Sequence, residues 1–291
     1  MNIRGDAQIS ARGFQPYEGP RSGVAGAIRS VSVESVRATL GVGRPARTKI
    51  FPVAAVAIAY VPAIVFVGIS VLIPGDLLDP EDVADYASYY GFITLAIILF
   101  SALVAPEVLV SDRRNGMLAM YLSTPLHRGT YLASKAIAVG ATLGLVTLFP
   151  PILVLLGYTF DGSGPDGFGN WVLTLFRIFV SGFAVSAALT SVSMAASSLT
   201  DRRAFAAIGI VLIVLISPIL ANALVEGAGL SPYWWMISLF TMPFELVNRI
   251  FGQAGDLPEI STAAVLAANI VWTVVGLSIV VWRYSKLVVA R

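Results

Sequence analysis

The chain of 291 residues has no cysteine and a single histidine, His127. Disulfides and thiolate metal sites are therefore excluded, and a histidine-based metal or catalytic cluster cannot be assembled. Charge is also scarce. Only 12% of residues are charged against 57% hydrophobic, and mean hydropathy is +0.82. Soluble domains carry about 25% charged residues. A water-facing surface cannot be made from so few, so most of the surface must face lipid. The net charge of +2 is too small to suggest a nucleic-acid partner. No G-x-x-x-x-G-K-[ST] phosphate loop occurs, so the chain does not bind ATP in that way.

What the sequence has instead is long apolar runs. About 20 residues are needed to cross the hydrocarbon layer. Six runs qualify: 50–73, 90–110, 131–160, 171–199, 205–225 and 262–287. They predict an all-α integral membrane protein with six transmembrane helices. The first 49 residues form a separate N-terminal segment, followed by a six-span membrane unit over 50–291. The start of the chain mixes polar, Gly, Pro and Arg residues and does not read as a signal peptide. Residues 1–20 lack any period and are expected to be disordered.

Charge placement sets the expected orientation. Seventeen of the 19 basic residues lie on one side: in 1–49, after the second run, after the fourth, and in the tail. Arg177 and Arg249 are the exceptions. The opposite loops carry Asp76, Asp79, Glu81, Asp82, Asp85, Asp161 and Asp166. The positive-inside rule places both termini in the cytoplasm, in agreement with an even number of spans.

Val24, Ile28, Val31, Val36 and Leu40 recur at near-helical spacing. They predict an amphipathic helix over 24–40, lying on the inner membrane surface or packed on a partner. Between the fifth and sixth runs, the aromatic stretch from Pro232 to Phe251 predicts two short outer-leaflet helices broken near Pro243 and Gly252. Ala136, Gly140 and Gly144 repeat every four residues, as in close helix contacts. Ser186, Thr190, Ser193 and Ser197 line one face of the fourth run. That face reads first as helix packing and second as a polar substrate path that could include Arg177. Snorkelling to the interface is the simpler role for Arg177. Pro62, Pro106, Pro150, Pro151 and Pro218 can each kink a span.

The loop from Asp112 to Arg128 is the most informative stretch. Met117, Leu118, Tyr121 and Leu122 make an apolar stripe on a short helix that Pro125 ends. Asp112 is expected near its start, where a carboxylate suits the helix dipole. Periodicity alone makes it no more than an interfacial helix. The motif carries more. Asp112, Arg113, Gly116, Leu118, Leu122, Ser123, Thr124, Pro125, Leu126 and Arg128 match a pattern found after the second span of the permease subunits of type-2 ABC exporters. Lys135 falls where that family has a Lys in its third span. Met117 and Tyr121 depart from the usual Thr and Leu.

The chain thus resembles that family. The resemblance implies a cytoplasmic coupling helix that contacts a separate ATPase through Asp112, Arg113, Arg114, Gly116, Leu118, Tyr121, Leu122 and Pro125. It suggests a second, lesser contact at Asp201, Arg202 and Arg203. It implies two ATPase copies, which would bind the ATP and Mg, and a second permease subunit, identical or not. The chain itself needs no cofactor and is not an enzyme. Its location would be the cell membrane, and the Ala/Val/Arg/Gly-rich composition suggests a bacterial one. The apolar interior suits a lipid, drug or lipid-linked cargo. Two rivals remain. An ion-gradient-driven secondary transporter would want acids deep in its spans, which are missing. A membrane anchor for an ATPase complex would use the same loop without transport. An intramembrane enzyme lacks its His, Glu and Asp cluster.

Overall fold

A computed structural model describes Gly19 and residues 22–43, 45–72 and 85–287. Apart from Gly19, the stretch 1–20 expected to be disordered lies outside the described residues, as do the acids Asp76, Asp79, Glu81 and Asp82, and Arg291. Among the described residues there are helices and no strands. Six helical segments are long and apolar enough to cross a membrane: Ile50–Leu72, Thr94–Arg114, Arg128–Asp161, Gly167–Leu199, Arg203–Gly227 and Thr262–Ser285. The protein is an all-α, multi-pass membrane protein.

The elements in chain order are α1 (Gly23–Thr39), α2 (Ile50–Leu72, span 1), the one-turn α3 (Tyr89–Phe92), α4 (Thr94–Arg114, span 2), α5 (Met117–Leu122), α6 and α7 (Arg128–Thr147 and Phe149–Asp161, span 3), α8 (Gly167–Leu199, span 4), α9 (Arg203–Asn222, span 5), α10 (Thr241–Phe251) and α11 (Thr262–Ser285, span 6). Span 4 is the central column and packs on spans 2, 3, 5 and 6. Span 2 is also central, with 72% of its apolar window buried against 17% for span 1. Small residues permit this packing. A Cβ on Gly276 of span 6 would stand 2.8 Å from the Ser191 backbone of span 4. Gly140 of span 3 faces the Thr190 hydroxyl of span 4.

Proline explains where one span departs from a single rod. The run expected at 131–160 is two helices that meet at Leu148. Pro150 and Pro151 have no N–H, so the carbonyls of Val146 and Thr147 lose their helical donors. The fully buried Tyr90 hydroxyl donates to the Thr147 carbonyl at 3.0 Å. The Thr147 hydroxyl in turn donates to the Gly182 carbonyl of span 4 at 3.1 Å. Pro62, Pro106 and Pro218 stay inside continuous helices. Tyr90, expected to open the second span, lies instead in α3, ahead of a break at Ile93.

The segment before span 6 also differs from expectation. A 3-10 turn covers Pro232–Ile237, and α10 follows. Pro243 sits in the first turn of α10, where its missing N–H costs little, so it does not break the helix. Gly252 does end it, in the left-handed conformation at φ 82°. Sequence reasoning missed a buried ion pair here. Glu245, 1% exposed, meets Arg249 at 2.8 Å across one helical turn. Arg249 also donates to the Leu257 carbonyl, and Glu245 accepts from the Asp256 N–H. This pairing accounts for one of the two basic residues that escape the charge bias. The other, Arg177, is half-buried and lies ten residues past the Gly167 start of span 4, deeper than a start at Trp171 implied.

Candidate functional site

The arginine-rich end of the bundle holds the candidate site: the hairpin between spans 2 and 3. Span 2 runs through Arg114, and Asn115 closes it. Gly116 then turns the chain at φ 66°, a left-handed conformation that costs other residues about 1–2 kcal/mol. The six-residue α5 follows. The Ser123 and Thr124 hydroxyls donate back to the carbonyls of Met120 and Tyr121, which closes it tightly. His127 begins span 3 as its N-cap. Its ring nitrogen Nδ1 accepts from the N–H groups of Gly129 and Thr130, and the Thr130 hydroxyl accepts from the His127 N–H. The one histidine is thus a helix cap.

The hairpin has two sides. Leu118 and Tyr121 pack against the main core, and Met117 and Leu122 are half-buried beside them. The opposite side presents Arg114, Asn115, Ala119, Met120, Ser123, Thr124 and Pro125 to the surroundings. The apolar stripe therefore seats the hairpin on its own protein. Of the residues expected to contact a partner, Arg114, Gly116 and Pro125 are exposed, whereas Leu118 and Tyr121 pack inward and Leu122 is half-buried. Burial, and then the nearby Asp112 and Glu34 carboxylates, raise the pKa of the Tyr121 phenol, so it stays neutral at physiological pH.

Asp112 and Arg113 are also directed inward. Asp112 belongs to the last turn of span 2 and not to the start of α5, because the helix of span 2 continues to Arg114. Its Oδ2 accepts from the Tyr131 hydroxyl at 2.9 Å and lies 2.6 Å from Lys135 Nζ. Lys135 is 2% exposed. It donates to the Ser35 hydroxyl of α1 at 2.9 Å and lies 5.0 Å and 5.5 Å from the ring centres of Tyr121 and Tyr131. Such contacts compensate part of the cost of burying the ammonium. This cluster joins α1, span 2, the hairpin and span 3.

The N-terminal helix packs by its polar stripe. Ser32, Ser35, Thr39 and Val31 are its buried residues, and Ser32 donates to the Ser134 carbonyl of span 3. Val24 and Val33 stay exposed. Helix α1 is therefore fastened to span 3 of its own chain, with Ile28 and Val36 half-buried and Val24 and Val33 facing outward.

Arg113 reaches sideways. Its guanidinium donates to the carbonyls of Ser197 and Ser198 at 2.5 Å and to that of Thr200. It also lies 3.6 Å from Asp201 and 5.8 Å from the ring centre of Tyr284. Of the second loop, Asp201 is largely exposed, Arg202 lies over the Phe205 ring, and Arg203 is ion-paired with Glu107 of span 2. On the other side of the hairpin, Arg128 donates to the carbonyls of Ser285 and Leu287.

The serine face of span 4 is a packing face. Ser186, Thr190 and Ser193 are all buried, and the Ser186 and Ser193 hydroxyls bond to carbonyls of their own helix. Among the described residues they are packed away from the surface. An open groove lies elsewhere, between spans 1, 2 and 5. It measures about 520 Å³ and is lined by apolar side chains such as Phe51, Ile58, Leu103, Ala207 and Val211. Toward the arginine-rich end it adjoins a smaller groove of about 230 Å³ that Phe51 and Leu103 share, with Thr39, Glu107 and Arg203 at its rim.

The chain matches the family model described as ABC-2 family transporter protein over residues 22–287. No curated protein matches it significantly. The match takes in α1, all six spans and the hairpin, which means that the whole described bundle is the family's membrane unit, a transport component that works with a partner ABC ATPase. The chain belongs to the ABC-2 transporter family and is a permease subunit.

Proposed function

We propose that the protein is the permease of an ATP-driven exporter and that the hairpin 115–125 is its docking point for the ATPase. The observation that carries this is the division of the hairpin. One face is anchored to a buried polar cluster, and the other leaves Ala119, Met120, Ser123 and Thr124 exposed among the described residues. An anchored base with a free outer face can carry force from a docked enzyme into the spans. Two ATPase subunits and a second permease, identical or not, complete this reading. Both chain termini would lie in the cytoplasm of a bacterial cell. The ATPases would bind ATP and Mg, and this chain neither.

The groove between spans 1, 2 and 5 supports an apolar or amphipathic cargo such as a lipid, drug or lipid-linked compound, with span 1 almost bare on its outward side. The serine face of span 4 offers less support for a path, since it is already packed. An ion-gradient mechanism has little to work with. Among the described residues, Glu107 and Glu245 are each ion-paired with an arginine, and Asp112 with Lys135. A docking test separates the permease reading from a simple anchor. Met120→Arg should release the ATPase while the protein still inserts and folds, and cargo movement should stop with it. Normal co-purification of the ATPase with this variant rejects the hairpin as its docking point.

A further inference from the structure

We infer that Arg113 and Arg128 are positioning residues that carry displacement of the hairpin into spans 4 and 6, which do not adjoin it in the chain. This rests on the reading of the hairpin as the ATPase contact. The chain connects the hairpin only to spans 2 and 3. The last four carbonyls of a helix have no donor within it. At this end of the bundle, carbonyls at and just past two such ends accept from arginines that flank the hairpin. Arg113, 7% exposed, forks across the carbonyls of Ser197, Ser198 and Thr200 at the end of span 4. Arg128, three residues past Pro125, donates to the carbonyls of Ser285 and Leu287 at the end of span 6, at 2.8 Å and 3.0 Å.

A cation at a helix C-terminus is favoured by the helix dipole, and charge-assisted bonds are about twice as strong as neutral ones. A planar guanidinium that bonds several carbonyls at once fixes direction as well as distance, which a lysine ammonium does not. The hairpin is thereby tied to four of the six spans at one level. Span 5 is joined by a separate tie, the Arg203–Glu107 pair. Spans 4 and 6 also touch backbone to backbone at Gly276. They would follow the hairpin as one block, leaving span 1 outside the tied set.

The absence of cysteine makes a reporter experiment direct. Single cysteines are placed at the far ends of span 3 (Phe160→Cys), span 4 (Phe168→Cys) and span 6 (Ala263→Cys), all exposed positions. Their maleimide labelling rates are compared without nucleotide and after trapping with ATP and vanadate, in the complex with its ATPase in membrane vesicles. In the unmutated protein all three rates should change several-fold on trapping. In Arg113→Gln the response at Phe168→Cys should fall below twofold while that at Phe160→Cys persists and ATP hydrolysis continues. Arg128→Gln, at an exposed site that does not threaten folding, should silence Ala263→Cys in the same selective way. Arg113→Lys, which keeps the charge but not the fork, should restore at most part of the response.

An undiminished response of Phe168→Cys in Arg113→Gln and of Ala263→Cys in Arg128→Gln overturns the inference, and so does a protein with no response at any reporter. Failure of the underlying reading looks different: the ATPase would then stay bound to Met120→Arg.

Discussion

Replacing Lys135 by Met should destabilise the protein far more than the loss of one surface charge would. The ammonium is 2% exposed and sits 2.6 Å from Asp112. An exposed ion pair is worth about 0–1 kcal/mol. Removing one member of a buried pair costs about 3–5 kcal/mol, because the other charge is left without compensation. After Lys135→Met, Asp112 would retain the Tyr131 hydroxyl as its direct donor. Ser35 would lose its contact with Lys135, loosening α1 as well. With about 2 °C lost per kcal/mol for a chain of this size, the melting midpoint should fall by roughly 6–10 °C. The assay is thermal unfolding in detergent of the wild type, Lys135→Met, Asp112→Asn and the double variant. The double variant should recover at least half of the loss, since no unpaired charge remains. Additive losses in the double variant would refute the claim that the two groups compensate one another.

Other perturbations test the packing and the polar ties. Gly276→Val should destabilise by about 1–3 kcal/mol through overpacking against the Ser191 backbone, seen as a lowered unfolding midpoint, whereas Gly209→Ala, with open space around it, should be neutral. Tyr90→Phe leaves the Thr147 carbonyl without its hydroxyl donor and should cost about 1 kcal/mol in the same assay. Arg249→Met leaves Glu245 buried without its cation and should cost about 3–5 kcal/mol, while Glu245→Gln with Arg249→Met together should cost less.

Much of this fold is legible in the sequence, because hydrocarbon imposes one requirement on any span: a long apolar helix. Each of the six expected runs falls on one of the six membrane-crossing segments, and α1 begins and ends within one residue of its expected 24–40. The third differs because two adjacent prolines remove two backbone donors. Hydropathy does not register this, since two prolines barely lower the mean of so apolar a run. The candidate site was legible as a motif but not as a geometry. An apolar stripe at Leu118 and Leu122 looks the same whether it faces a partner or its own core. The side is decided by Lys135, Tyr131 and the end of span 2, all distant from it in the chain or in direction. The carbonyl-capping roles of Arg113 and Arg128 escape pattern reading altogether, because backbone acceptors carry no residue identity. Arg249 was visible as an anomaly of charge placement, and Glu245, four residues before it on one helix face, was the available signal for its partner.

The central claim is that the free face of the hairpin meets an ATPase inside the cell. A single cysteine at Thr124, exposed at the tip, tests it most directly with a membrane-impermeant maleimide. The cysteine should react in inside-out vesicles stripped of ATPase, become protected when the ATPase is added back, and remain unlabelled in intact cells. Labelling from outside intact cells, or reaction unaffected by added ATPase, would contradict the account.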